Sequence, residues 1–207
     1  MKKVTVTYNG HACFTLESDG YRTVLDPYAD GMVPGVPALC LEAEAVLCSH
    51  SHGDHAYVQA VSLKESHSPA PYTLETVETP HDDKGGTLRG MNLVHIFDFD
   101  GFRVAHLGDL GEVPSGQTLE KLRGVHCLLI PVGGFFTIGP EEAEQTIALI
   151  DPVVAVPMHY RTDSTGFDVL SHLSAFTDRY ENVHHCDNSI TLTKDAEKQI
   201  LVINYKP

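Results

Sequence analysis

Residues 50–55 read His50-Ser51-His52-Gly53-Asp54-His55, four metal-ligating side chains in six positions, directly after the apolar stretch Ala45-Val46-Leu47-Cys48. Imidazole and carboxylate are ligands for zinc, iron or manganese. So dense a run commits the chain to a scaffold that holds a loop rigid at the end of a strand and brings further ligands to it from distant sequence. In an extended turn His50 and His52 can face one metal position while Asp54 and His55 face a second beside it, so one loop can seed a two-metal site. The competing reading is a histidine-rich surface turn. Against it, the run lies between a strand-like segment and a helix-like one, Ala56 to Lys64.

The 207 residues suit one domain with a real core, spanning 1–207. No apolar run approaches the ~18 residues of a membrane span, and Met1-Lys2-Lys3-Val4-Thr5-Val6-Thr7 reads as a strand rather than a signal peptide. A soluble, cytoplasmic protein with no membrane partner is expected. Five cysteines, Cys13, Cys40, Cys48, Cys127 and Cys186, are scattered, odd in number and never spaced Cys-x-x-Cys. That pattern fits reduced thiols, four of them in apolar surroundings. The formal net charge is −14 and no basic cluster exceeds Lys2-Lys3. Nucleic acid, which demands a basic footprint, is therefore not an expected partner.

The first half reads as a β-meander: Val4 to Tyr8, a turn at Asn9-Gly10, Ala12 to Glu17, a turn at Ser18-Asp19-Gly20, then Tyr21 to Leu25. A Gly- and Pro-rich loop, Pro27 to Pro37, precedes the strand ending at Cys48. Further strands are expected at Tyr72 to Val77, Met91 to Phe99 and Phe102 to His106, the last two joined by Asp100-Gly101 as a hairpin. From about residue 115 helices and strands alternate: Ser115 to Leu122, Cys127 to Pro131, Glu141 to Ile150, Val153 to Val156 and Phe167 to Tyr180. In the last of these helices Leu170, Leu173 and Phe176 form a core-facing stripe. Strands at Val183 to His185, Ile190 to Thr193 and Ile200 to Ile203 close the chain. The pattern is layered, with strands inside and helices outside.

Four downstream segments end an apolar strand with a possible ligand: Glu78-Thr79-Pro80-His81, Ala105-His106-Leu107-Gly108-Asp109, Val125-His126-Cys127 and Val156-Pro157-Met158-His159. Strand C-termini are where such sheets gather functional groups. His81, Asp109 and His159 lie in loops marked by Pro or Gly and are better candidates than His106 or His126. Asp82 and Asp83 offer other oxygens beside His81.

Taken in order, these motifs resemble the metallo-β-lactamase superfamily, and within it the small metal-dependent hydrolases grouped as L-ascorbate-6-phosphate-lactonase-like. Tyr8-Asn9-Gly10-His11-Ala12-Cys13-Phe14 and Leu25-Asp26-Pro27-Tyr28 resemble its first strands, and His50 to His55 its signature loop. His81, Leu107-Gly108-Asp109 and Pro157-Met158-His159-Tyr160 resemble its later metal motifs, and Pro131 to Ala143 a strand-loop-helix segment of the subgroup. The resemblance implies an α/β fold, the four-layered αββα sandwich. It also implies two divalent metal ions, zinc or manganese: His50, His52 and His81 on one, Asp54, His55 and His159 on the other, and Asp109 bridging. His52, where a di-iron redox branch would carry glutamate, favours hydrolysis. Asp26 would brace the histidine loop, and Arg161 replaces a smaller residue common in the subgroup.

Two such cations about 3.5 Å apart would lower the pKa of a bridging water, with Asp54 as the catalytic group that orients it or takes its proton. A small-molecule ester, lactone, amide or phosphodiester would suit this chemistry. An iron-dependent oxidoreductase and a non-catalytic metal-binding protein are the rival classes. His11 can reach the metals' outer shell or serve as a turn histidine. His184 and His185 point to opposite strand faces and cannot chelate together. His67, His95 and His172 read as surface or satisfied core residues. The amides around Gly133-Gly134 and Gly139, ahead of a helix, are a possible anion cradle.

Overall fold

The computed structural model describes residues 2–66 and 68–206. The expectations for Met1, at the start of the first strand, and for His67 lie outside the described residues. The strands of the first half are β1 (Val4–Gly10), β2 (Cys13–Ser18), β3 (Tyr21–Leu25), β4 (Leu41–Ala43), β5 (Ala45–Leu47), β6 (Val61–Leu63), β7 (Thr73–Pro80), β8 (Met91–Phe99) and β9 (Phe102–His106). Thereafter come α1 (Gly116–Leu122), β10 (Cys127–Pro131), α2 (Pro140–Ile150), β11 (Val154–Met158), α3 (Leu173–Thr177), β12 (Val183–Cys186), β13 (Ser189–Leu192) and β14 (Gln199–Ile203).

Alternation sets the first sheet. Val4, Val6 and Tyr8 are buried while their neighbours are half-exposed, the period of a strand with one face on a core. The five strands run in the order β13-β1-β2-β3-β5, antiparallel except for the β3–β5 pair. The second sheet has seven strands in the order β12-β14-β11-β10-β9-β8-β7. Every residue of β10 and β11 is buried, as parallel strands covered on both faces must be. Phe14, Leu16 and Leu25 of the first sheet share one apolar core with Val94, Ile96, Leu129 and Val156 of the second and with Leu122, Ile150 and Phe176 of the helices. Each fully buried Leu or Phe contributes roughly 1.5–3 kcal/mol, so the sheets supply the fold's stability. Among the described residues no helix is long and apolar enough to cross a membrane, and all five cysteines are unpaired.

Strand direction decides where function gathers. β7 is antiparallel to β8, β8 to β9, and β9, β10 and β11 are mutually parallel. Hence β7, β9 and β11 all point the same way, and their C-terminal ends, carrying His81, Asp109 and His159, share one rim of the sandwich. Pro80 can end β7 because that strand is the sheet's edge and needs no further donor.

Two helices depart from expectation. Ala56 to Lys64 is not a helix: a single 3-10 turn at Val58–Ala60 gives way to β6, which pairs in parallel with β4. Tyr57, Val58 and Gln59 are exposed and only Val61 and His55 nearby are buried, so no apolar helix face exists to bury. Instead Ala43 and Val61 join Cys13 and Val24 in a second small cluster on the outer face of the first sheet. The expected helix from Phe167 to Tyr180 shortens to Leu173–Thr177. Its first turns are replaced by a single turn, closed by Leu170 N–H to Phe167 O (3.0 Å), and by a bridge segment in which Ser171 N–H donates to Gly133 O (2.7 Å) and Leu173 N–H to Arg161 O (3.0 Å). The ring Nδ1 of His172 then caps α3 by accepting from Ser174 N–H (3.2 Å). The Asp100-Gly101 hairpin forms as expected, both residues at positive φ (54° and 82°). By contrast the first turn lies two residues later than Asn9-Gly10, at His11-Ala12. β1 runs through Gly10 with a register shift between Tyr8 and Gly10, and the reversal falls on His11, at φ 57°.

Candidate metal centre

Asp109 is the hub. Its Oδ2 lies 3.3 Å from His81 Nε2, 3.4 Å from His159 Nε2 and 3.8 Å from His50 Nε2, while its Oδ1 lies 3.3 Å from His55 Nε2. Beside it, Asp54 Oδ2 is 3.6 Å from His55 Nε2 and 3.3 Å from His11 Nε2. Ligand atoms within 4.8 Å of one another form three groups: His11, Asp54, His55 and His159; His50, His52 and His81; and His50, His55 and Asp109. All seven residues singled out in the sequence therefore meet, and His11 joins them. His106, His126, His184 and His185 do not.

The backbone that delivers these groups is specialised. Gly108, at φ 55°, precedes Asp109, and a Cβ there would meet Asn92 Oδ1 at 2.2 Å and Ser49 Cβ at 2.5 Å. The turn needs glycine for both conformation and space. At Gly133 a Cβ would meet His159 O at 2.0 Å, so the loop carrying His159 can only pass a glycine. His11, Asp26 and His159 themselves hold positive φ (57°, 47° and 53°), conformations that survive where surrounding contacts over-determine them.

A layer of hydrogen bonds fixes the ring tautomers. Buried Asp26 accepts at Oδ1 from Ser49 N–H (2.6 Å) and at Oδ2 from both the Ser49 hydroxyl (2.6 Å) and His55 Nδ1–H (2.8 Å). With its proton committed to Asp26, the Ser49 oxygen accepts from His50 Nδ1–H (2.9 Å). One carboxylate thus turns the Nε2 edges of both His50 and His55 toward Asp109. Asn92 does the same for the hub, accepting from Asp109 N–H at Oδ1 (2.8 Å) while its amide donates to Leu107 O and Thr79 Oγ1 (2.9 Å each). The sequence pointed to Asp26 as a brace but not to Ser49 or Asn92, whose partners are 23 to 17 residues distant in the chain.

Electrostatics follow from three carboxylates facing buried imidazoles. Burial disfavours charge on Asp109, yet His159 and His55 hold its carboxyl well below the ordinary range. Burial likewise opposes Asp26, but His55 and Ser49 keep it at about 2. Burial and His55 push His50 down to about 3, and burial with His159 takes His11 to about 4. Those two rings stay neutral, with lone pairs to offer; burial opposes charge on His55 too, but Asp109 and Asp26 hold it well above the ordinary imidazole range, so that a cation there would take the place of its Nε2 proton. His50 Nε2, His55 Nε2, His159 Nε2 and Asp109 Oδ1 are buried without a hydrogen-bond partner, a costly state for polar atoms unless a cation or proton satisfies them. The donor set of nitrogens and carboxylate oxygens therefore fits transition-metal ions.

At the periphery the histidines set aside in the sequence take structural roles. His106 is fully buried and structural: its Nε2–H donates to Ala12 O (2.9 Å) and its Nδ1 accepts from Gly108 N–H (3.2 Å). His126 accepts from Arg103 N–H (3.2 Å), and His95 Nε2 meets Cys48 O (3.2 Å). Arg161 donates from Nε to Leu170 O (2.8 Å), bracing its own loop. Neither it nor Tyr160 lines the cavity over the centre, which holds about 270 Å³. The anion cradle ahead of α2 is already filled: Gly139 N–H donates to Glu142 Oε2 (3.1 Å) and Gly134 N–H to Ile138 O (3.1 Å).

Asp82, a rival oxygen donor in the sequence, is spent on its own loop. Its carboxylate accepts from the backbone N–H groups of Lys84, Gly86, Leu88 and Arg89 (2.8, 3.0, 2.9 and 2.8 Å). Against the opposing effect of burial, those donors hold it at about 2. Asp82→Ala is expected to release all four amides. Hydrogen exchange should speed up at these positions while β7 and β8 keep their protection; unchanged protection in the loop would refute the assignment.

The chain is similar to known proteins over most of its length. The model of the beta-lactamase superfamily domain matches residues 5 to 159, from β1 to the last histidine of the cluster. A UPF0173 metal-dependent hydrolase of Korarchaeum cryptofilum is 29% identical over 188 residues, covering 77% of this chain and 84% of its own. Another, from Thermoplasma acidophilum, is 25% identical over 231 residues, covering 97% and 99%. A solved structure from Thermotoga maritima, proposed as a zinc-dependent hydrolase of the metallo-beta-lactamase superfamily, superposes with a TM-score of 0.77 at 32% identity, covering 98% of this chain and all of that one.

Proposed function

The chain belongs to the beta-lactamase superfamily, and from that premise we propose that it is a metal-dependent hydrolase with a dinuclear centre acting on a small substrate. His50, His52 and His81 would hold one divalent cation and Asp54, His55 and His159 the other, with Asp109 between them. The observation that carries this reading is the hub itself, a buried carboxylate ringed by four imidazole Nε2 atoms of which three have no other partner. When bound, two dications would bring four positive charges against the three negative ones of Asp26, Asp54 and Asp109, a balance that favours uptake of a hydroxide nucleophile near neutral pH and polarises the bond to be cut.

The chain's own groups do the rest. Neutral His11 donates from Nε2 to Asp54 Oδ2 and so aims that carboxylate, which we assign as the acceptor of the attacking water's proton. Phe136, Phe167 and Met32 line the same cavity and exclude bulk water from one side. Esters, lactones, amides and phosphodiesters are compatible substrates, and zinc and manganese compatible metals. Elemental analysis of freshly purified, untagged protein is expected to return about two metal ions per chain, and a panel of these four bond types to reveal turnover abolished by chelation. Trace metal only, or full metal with no turnover in any class, would overturn the reading.

A further inference from the structure

Among the described residues the guanidinium groups of five of the six arginines meet protein oxygen. Arg22, Arg123 and Arg179 face Glu44, Glu120 and Glu144, Arg103 donates to the carbonyls of Arg123 and Lys121, and Arg161 to that of Leu170. Arg89 is the exception. Its guanidinium carbon lies 5.5 Å from the centre of the Phe136 ring and 6.0 Å from that of Phe135, and it has no carboxylate or carbonyl partner. It borders the cavity that contains His52, Asp54, His81 and Asp109, and among the described residues is the only Lys or Arg to do so.

We propose that Arg89 is a specificity residue that captures a second anionic group, carboxylate or phosphate, on the substrate, remote from the bond that is cut. This rests on the reading of that cavity as the hydrolytic site. A guanidinium keeps its charge at any working pH and presents a planar fork matching carboxylate and phosphate oxygens. The aromatic faces hold it by cation–π attraction without occupying its N–H donors. Its backbone is fixed as well, since Arg89 N–H is one of the four that close the loop on Asp82. In a chain of net charge −14, a lone cation at the mouth gives an anion the local attraction that the overall field denies it. Phe135, 63% exposed and with its ring centre 4.8 Å from that of Phe136, extends an apolar surface beside that cation. The favoured substrate is a small molecule with an apolar body and an acidic end.

The test separates this anion from one bound at the metals. Metal-loaded protein is titrated calorimetrically with straight-chain dicarboxylates of increasing length, with the monocarboxylates of equal length, and with the matching phosphonocarboxylates. One end of each diacid can occupy the metals, leaving the other for Arg89. At the length that spans the two, the diacid should bind about tenfold tighter than its monoacid, the scale of a charge-assisted hydrogen-bonded pair. The carboxylate and phosphonate arms then tell which acid the site prefers. In Arg89→Gln, with metal content unchanged, that advantage should vanish, and in Arg89→Lys it should return in part. Equal affinities of diacid and monoacid at every length, no measurable binding of any diacid, or an advantage that survives Arg89→Gln would each overturn the proposal. Failure of the turnover panel would instead strike at the hydrolase reading, leaving the binding difference intact.

Discussion

Asp109→Ala is expected to abolish tight metal binding while leaving the protein folded. The hub carboxylate faces four imidazole nitrogens with both oxygens; between two dications it would also screen their mutual repulsion in a pocket where water cannot. Removing one partner from a buried charge cluster typically costs on the order of 4 kcal/mol, or about a thousandfold in affinity. The core is untouched by the change, because Leu107 and Leu110 on either side of the turn are buried on their own account. Circular dichroism should therefore match the parent, and the rise in melting temperature that metal gives the parent by binding only the folded state should nearly disappear.

His81→Ala is the control. It deletes one neutral ring that reaches Asp109 from a single side, at 3.3 Å, so only one of the two cation positions loses a ligand. The loss should be on the order of a hundredfold or less, the scale seen when one supporting partner of a metal site is removed. Metal titration of the two folded variants decides the ranking. If Asp109→Ala binds both ions as tightly as the parent, Asp109 is not the bridge and the assignment of the centre fails with it.

The positions proposed as ligands were legible because each follows the end of a strand, and strand ends marked by Gly or Pro can be read from local pattern alone. The hairpin at Asp100-Gly101 and the buried runs of β10 and β11 were legible for the same reason. What escaped was set by distant partners. Residues 56 to 64 look helical in isolation, but β4 offers Val61 to Leu63 a strand partner, and tertiary pairing overrides weak propensity. The start of the last helix was lost to the bridge between Arg161 and His172. His11 could be weighed only as one of two possibilities, because the bulge that carries it to Asp54 depends on the register of β1 against β2. Arg89 left no signal at all, since its distinction is the lack of an acceptor where every other arginine found one.

Asp26→Asn is expected to disable two of the proposed metal ligands by exchanging one carboxylate oxygen for NH2 at a residue outside the proposed ligand set. The carboxylate accepts three hydrogen bonds, from Ser49 N–H at Oδ1 and from the Ser49 hydroxyl and His55 Nδ1–H at Oδ2. An asparagine amide that keeps its oxygen toward Ser49 N–H must present NH2 to the other two. His55 Nδ1 then has to accept, which moves its proton to Nε2. The Ser49 hydroxyl has to reverse, donating to His50 Nδ1 and moving that proton to Nε2 as well. Both rings would now aim N–H at the position a cation needs. The flipped amide is no remedy, because NH2 against the buried Ser49 N–H leaves two donors face to face, at a cost of about 1–3 kcal/mol. Metal affinity should therefore fall about 10- to 100-fold. Ser49→Ala, which breaks only the relay to His50, should lose less. Nitrogen NMR of the metal-free proteins reads the tautomer of neutral His50 directly. If Asp26→Asn keeps the parent's affinity, or if His50 still carries its proton on Nδ1, then Asp26 does not set the ligands and the centre must be organised from the other side, through Asn92 and the hub.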